Sequence, residues 1–135
     1  MSAATDAVLG RLDREFDASL ERLFTILRIP SVSTDPAYSA ECRRAAEWSA
    51  AQLRDIGFEA RLVETAGQPM VVGHREVPGA ARRVLFYGHY DVQPPDPLDL
   101  WDNPPFEPKV TDGPRGPQLK GRGTSDDKGQ FMTFL

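Results

Sequence analysis

With 135 residues, 40% hydrophobic and 27% charged, the chain is long enough to bury one core and too balanced in composition to be disordered. A formal net charge of -4, with no basic run interleaved with aromatics, excludes nucleic acid and anionic membrane as main partners. The single cysteine, Cys42, rules out a disulfide framework, and the charged N-terminal stretch lacks the apolar region of a secretory signal, so a cytoplasmic protein is expected.

Residues 5–28 predict one amphipathic helix. Val8, Leu12, Phe16, Leu20, Leu23, Phe24 and Leu27 recur at three- and four-residue spacing as a buried stripe, and Asp13, Arg14, Asp17, Glu21 and Arg22 fill the other face. Thr5 or Asp6 is placed to cap its start. Ile29 followed by Pro30 ends it, because the residue before proline avoids helical geometry. A turn-rich connection leads to a second helix over 37–55, with Ala45, Trp48, Ala51, Gln52 and Leu53 near one face and Gly57 as the stop signal.

Residues 58–64 alternate apolar and polar side chains, the mark of a half-buried strand, and 69–73 offers a partner through the turn at Ala66 and Gly67. The near-continuous apolar run Val84, Leu85, Phe86, Tyr87 predicts a central strand covered on both faces. Eight of the twelve prolines (Pro94, Pro95, Pro97, Pro104, Pro105, Pro108, Pro114 and Pro117) then predict a long irregular loop. Leu119 begins a further short strand. Residues 127–135 read as the first turns of a helix, with oxygens of 124–127 as caps. Helices alternating with strands give the expected class: α/β, with helices packed on a mixed β-sheet.

Two short stretches carry chemistry. In GHYDVQP, residues 88–94, His89 leaves the carboxyl end of the apolar run, where open α/β sheets place their ligand sites. Asp91, two residues on, points to the same side if the backbone stays extended, where it can fix the imidazole tautomer; otherwise it is a turn residue. In GRGTSDDKG, residues 121–129, Asp126 and Asp127 are adjacent carboxylates whose repulsion calls for a cation. Lys128 or a divalent metal can serve, or both aspartates can simply sit in a helix's first turn, favoured by its dipole. Imidazole and carboxylate are the ligand types of a hydrolytic zinc site. Neither stretch has the glycine order of a nucleotide loop. Ser31 and Ser33 lack the context of a nucleophile elbow, and His74 reads as a surface residue.

The chain resembles the dinuclear zinc peptidases that include carnosinase, aminoacylase, acetylornithine deacetylase and succinyl-diaminopimelate desuccinylase. RIPSVS (28–33) is similar to their segment after the first helix. LFYGHYDVQP (85–94) and LKGRGTSDDKGQ (119–130) are similar to their two metal motifs, and LWDNPPFEPKVTDG (100–113) to the loop between them in the dipeptidase branch. The resemblance implies that His89 ligates one zinc, Asp126 bridges two, and Asp91 acts catalytically by orienting His89. It also implies a cis peptide before Asp127. Co2+ or Mn2+ are possible alternatives to Zn2+. The implied substrate is a small peptide or N-acyl amino acid, and the implied assembly of the intact enzymes is a homodimer.

The same resemblance marks what is missing. The family requires a Glu-Glu pair, a further acidic ligand, a distal histidine and an inserted lid domain beyond the positions matched here. Residues 1–135 are therefore expected to be the N-terminal portion of a catalytic domain, inactive on its own. The alternatives are a non-catalytic α/β binding module or a remnant with a weak half site for metal.

Overall fold

The computed structural model describes residues 2–135. Helix α1 (Ala3–Leu27) is capped by Ser2, whose hydroxyl accepts a hydrogen bond from the Thr5 amide at 3.3 Å. Ser2 holds the extended backbone that a cap requires, whereas Thr5 and Asp6 already lie inside the first turn. Of the expected apolar stripe only Leu27 is buried, beside Ile26, which the stripe did not include; Val8, Leu12 and Phe16 are exposed, because no described element packs on that half.

One turn of 3₁₀ helix (Pro36–Tyr38) leads into α2 (Ser39–Asp55). Its buried face is small: Cys42, Ala45, Ala46, Ser49 and Ala50. Small residues let neighbouring segments approach the helix axis closely. The exit of α2 follows from backbone chemistry. Gly57 adopts φ 88°, its amide bonds the Arg54 carbonyl at 2.9 Å, and the Phe58 amide bonds the Leu53 carbonyl at 2.9 Å. This pair of bonds closes the last turn and needs a left-handed residue at position 57.

Strands β1 (Glu59–Val63) and β2 (Met70–His74) form an antiparallel hairpin with Glu59 opposite His74 and Val63 opposite Met70. Helix α2 packs on one face of it. Gly73 makes this possible, since a Cβ there would lie 3.0 Å from Leu53 Cδ1. The α/β class holds, but the strands form two antiparallel hairpins instead of one mixed sheet. Parallel pairing outside the strands includes the bridge between Val32 and Val92.

Residues 84–87 form no strand and join no sheet. Val84 and Leu85 are 90% and 94% exposed. A continuous apolar run signals burial on both faces, yet β1 and β2 pair only with each other and leave the run without a neighbour. Phe86 is the partial exception: its ring stacks on Phe134 at 4.3 Å, and Phe134 meets Phe58 edge-on at 5.9 Å.

The proline-rich segment is less irregular than its composition implies. It contains a short 3₁₀ turn (Leu98–Leu100) and the hairpin of β3 (Lys109–Gly113) and β4 (Gly116–Lys120). The alternation Lys109, Val110, Thr111, Asp112 was masked by its flanking prolines. The buried amide of Asn103 donates to the Glu107 carbonyl at 3.0 Å and so organises the turn before the hairpin. Helix α3 (Lys128–Phe131) is a single turn. Phe131 joins Ile26, Ile29 and Ala45 in the core, with Trp48, Tyr90 and Met132 packed around them. The core therefore sits between the end of α1, α2 and α3. No helix among the described residues is long and apolar enough to cross a membrane.

Replacing Gly57 by alanine forces a Cβ into the left-handed region and should lower the unfolding free energy by about 1 kcal/mol, read from the midpoint of urea denaturation. The exposed run at 84–87 should make the chain associate as its concentration rises, measured by sedimentation velocity, and Leu85→Lys should weaken that association. A monomer at every concentration, with a sharp reversible melt, would contradict the second expectation.

Candidate metal centre

Gly88 leads into His89, which lines an open cleft of about 190 Å³ whose wall is formed by residues 121–126. The passage at Gly88 is tight. A Cβ on Gly88 would fall 2.8 Å from Phe131 Cβ and 3.0 Å from the Asp127 carboxylate, so glycine lets the two loops touch. Val92, just beyond, bonds through its amide to the Ser31 carbonyl at 2.9 Å, and Ser31 Oγ donates to the Tyr90 carbonyl at 2.7 Å. Segment 29–33 thus braces segment 88–92 from behind.

His89 is engaged at three atoms by three different aspartates. Its Nδ1 lies 3.1 Å from Asp91 Oδ1, and its Nε2 lies 3.0 Å from Asp126 Oδ1, a contact across 37 residues of sequence. Its backbone amide donates to Asp127 Oδ2 at 2.8 Å. Burial works against the imidazolium, but the hydrogen bond to Asp126 and the nearby Asp91 charge outweigh it, and the His89 pKa is raised. The other oxygen of Asp91 accepts from Ser33 Oγ, so that carboxylate is held from both sides.

Asp126 and Asp127 are joined by a cis peptide bond. Their side chains diverge: Asp126 is 84% exposed and reaches only the imidazole edge, whereas Asp127 turns inward to the His89 amide. Asp127 occupies the cap position of α3 but makes no side-chain cap bond, contrary to the capping expected of residues 124–127. Thr124 Oγ1 bonds the Gly121 carbonyl instead, at 2.9 Å. Lys128 does not relieve the carboxylate pair either. It is fully buried, and its ammonium donates to the carbonyls of Ile26 and Ile29 at 3.1 and 2.6 Å. Burial pushes its pKa down to about 7.

The rest of the wall is fixed by Arg122. Its guanidinium lies 5.1 Å from the Trp101 ring centre and donates to the Pro94 carbonyl at 3.2 Å. Gly123, at φ 84°, passes between Val92 and the Lys128 stem with no room for a side chain.

The donor set suits part of a divalent-cation site. Imidazole Nε2 and carboxylate Oδ1 converge from separate loops, with the imidazole steered by a carboxylate on its far nitrogen. It is not a whole site: among the described residues no group of three His, Cys, Asp or Glu side chains is arranged to hold a metal ion. Ser33, Ser31 and Lys128 were not read as site residues from sequence. For the serines a faint signal exists, since two hydroxyls two residues apart follow directly on the end of the first helix. His74 is 57% exposed, away from the site.

Residues 85–135 match the model of peptidase family M20/M25/M40. Over all of its length the chain is 30% identical to the Cys-Gly metallodipeptidase DUG1 of Saccharomyces cerevisiae, covering 30% of that protein. Over 64% of its length it is 43% identical to the succinyl-diaminopimelate desuccinylase of Aromatoleum aromaticum, covering 21% of it. The crystal structure of human carnosine dipeptidase 1 superposes on 98% of this chain with a TM-score of 0.85 at 27% identity, again over 30% of the larger chain. The chain therefore spans less than a third of the length of these relatives.

Two Asp91 oxygens face Nδ1, the carboxylate at 3.1 Å and the main-chain carbonyl at 3.2 Å, against one oxygen of the exposed Asp126 at Nε2, so neutral His89 is expected to carry its proton on Nδ1. Long-range 1H–15N correlation should show that tautomer at alkaline pH and a mixture in Asp91→Ala. A dominant Nε2–H form in the unaltered chain would contradict it.

Proposed function

We propose that this chain, a relative of the M20 peptidases through residues 85–135 and through its overall fold, contributes part of the metal centre of an enzyme hydrolysing peptide or amide bonds of small, dipeptide-like substrates. The observation that carries this reading is the 3.0 Å approach of His89 Nε2 to Asp126 Oδ1 at the open end of the cleft. In it, His89 and Asp126 would hold the zinc. Asp91 holds the imidazole proton on Nδ1, which leaves the Nε2 lone pair free for the cation, and Ser33 holds Asp91. Asp127 fixes the main chain at His89. When bound, zinc supplies Lewis acidity at a scissile carbonyl and a lower pKa for an attacking water. A cytoplasmic setting accompanies this reading.

Two ligands fall short of the three protein ligands usual for catalytic zinc. The nearby carboxylates are also committed: Asp91 to His89 and Ser33, and Asp127 to the His89 amide. None is placed to take a proton from water, so the chain by itself is inactive and depends on further groups to complete the site.

Four-ligand zinc sites release roughly 10–16 kcal/mol. Half of that set should yield a dissociation constant no tighter than about 1 μM. Calorimetric titration with Zn2+ should find such weak binding, lowered at least about tenfold further by His89→Ala or Asp126→Ala. Tight binding that survives both substitutions would overturn the assignment. With zinc added, the chain should cleave a Cys-Gly dipeptide no faster than zinc alone; turnover above that level would refute the incomplete-site reading.

A further inference from the structure

Lys128 is a fully buried ammonium that no step of the proposed chemistry uses. Burying a charge is costly, and a methionine would fill the same space more cheaply. Its partners explain its presence. The Ile26 carbonyl belongs to the last turn of α1 and the Ile29 carbonyl lies two residues past its end; each accepts a main-chain amide, from Ile29 and Ser31, and turns its remaining capacity to the ammonium, near the negative end of the helix dipole. The stem reaches them by crossing Gly123, where a Cβ would come within 3.2 Å of Lys128 Cδ.

Asp126 sits two residues before this anchor and one before the other, the Asp127 carboxylate on the His89 amide. Its own side chain is 84% exposed and touches only His89, so its position is set through the main chain. The start of the loop has its own anchors: the Arg122 amide donates to the Pro105 carbonyl at 2.7 Å and its guanidinium to the Pro94 carbonyl at 3.2 Å. At Ser125 and Asp126 no main-chain hydrogen bond among the described residues holds the backbone, and α3 beyond them is a single turn.

We propose that Lys128 is a positioning residue: by tethering the 121–128 loop to the carboxyl end of α1, it places the Asp126 carboxylate against the His89 imidazole. The tether spans about a hundred residues of sequence, the separations being 102 and 99. Through it the first helix sets the geometry of a site to which it contributes no ligand. Only the consequence for metal affinity rests on the function proposed above; the placement of Asp126 does not.

The test uses the whole chain without metal. The side-chain 15N resonances of His89 are compared in the unaltered protein, Lys128→Met, Asp126→Ala and Ala50→Gly. The last loosens the buried face of α2 without touching the loop. Lys128→Met should move the His89 resonances to the Asp126→Ala positions, while Ala50→Gly lowers the melting temperature and leaves them in place. Unmoved resonances in Lys128→Met would overturn the proposal, as would equal movement in Ala50→Gly. Should Lys128→Met not fold, a temperature series on the unaltered chain decides. Slow exchange of the Lys128 ammonium protons and the His89–Asp126 signature should vanish together, and a signature that outlasts the ammonium protection would overturn the tether. Where Co2+ binds the unaltered chain, Lys128→Met should weaken it by about tenfold or more. If Co2+ does not bind at all, the metal reading falls while the comparison without metal still decides the role of Lys128.

Discussion

The bond from the His89 amide to the Asp127 carboxylate, 2.8 Å long, joins two loops that no sheet connects. One loop follows residues 84–87, which join no sheet, and the other follows β4, whose hairpin pairs within itself. This contact and the close approach that Gly88 permits help bring an imidazole and a carboxylate 37 residues apart to 3.0 Å. The cleft, its wall and the steering of His89 all presuppose it.

Three carboxylates around one imidazole would repel one another unless each had its own partner. The fold separates them by giving each a different atom. Asp91 takes Nδ1 and the Ser33 hydroxyl, Asp126 takes Nε2, and Asp127 takes the backbone amide. The nearest lysine in sequence is withdrawn into the core, where the Ile26 and Ile29 carbonyls satisfy it. The contact at Nε2 is consequently the one with an exposed carboxylate, and the one a cation can replace without disturbing the others.

The two halves of the chain are packed unequally. Around Ile26, Ala45 and Phe131 the core is closed, and the cleft is braced from behind by segment 29–33. Away from it, the first half of α1 and residues 84–85 present apolar side chains to water. The site thus rests on the well-packed region, and the exposed runs lie at its margins.

Much of this was legible in the residues themselves. The spacing of apolar side chains located both long helices, alternation located β1, and Gly57 marked the end of α2, since these signals depend only on local geometry. The histidine and aspartate motifs pointed to metal chemistry because few other residue types hold a divalent cation. What only the tertiary structure decided was how the charged groups are shared out: Asp127 turned to the main chain, Lys128 tied to α1, and Ser33 set behind Asp91. It also left residues 84–87 without a sheet and drew a hairpin from among the prolines. Those outcomes depend on which segments meet across dozens of residues, and a side chain's partners at that range are set by packing, not by its neighbours in sequence.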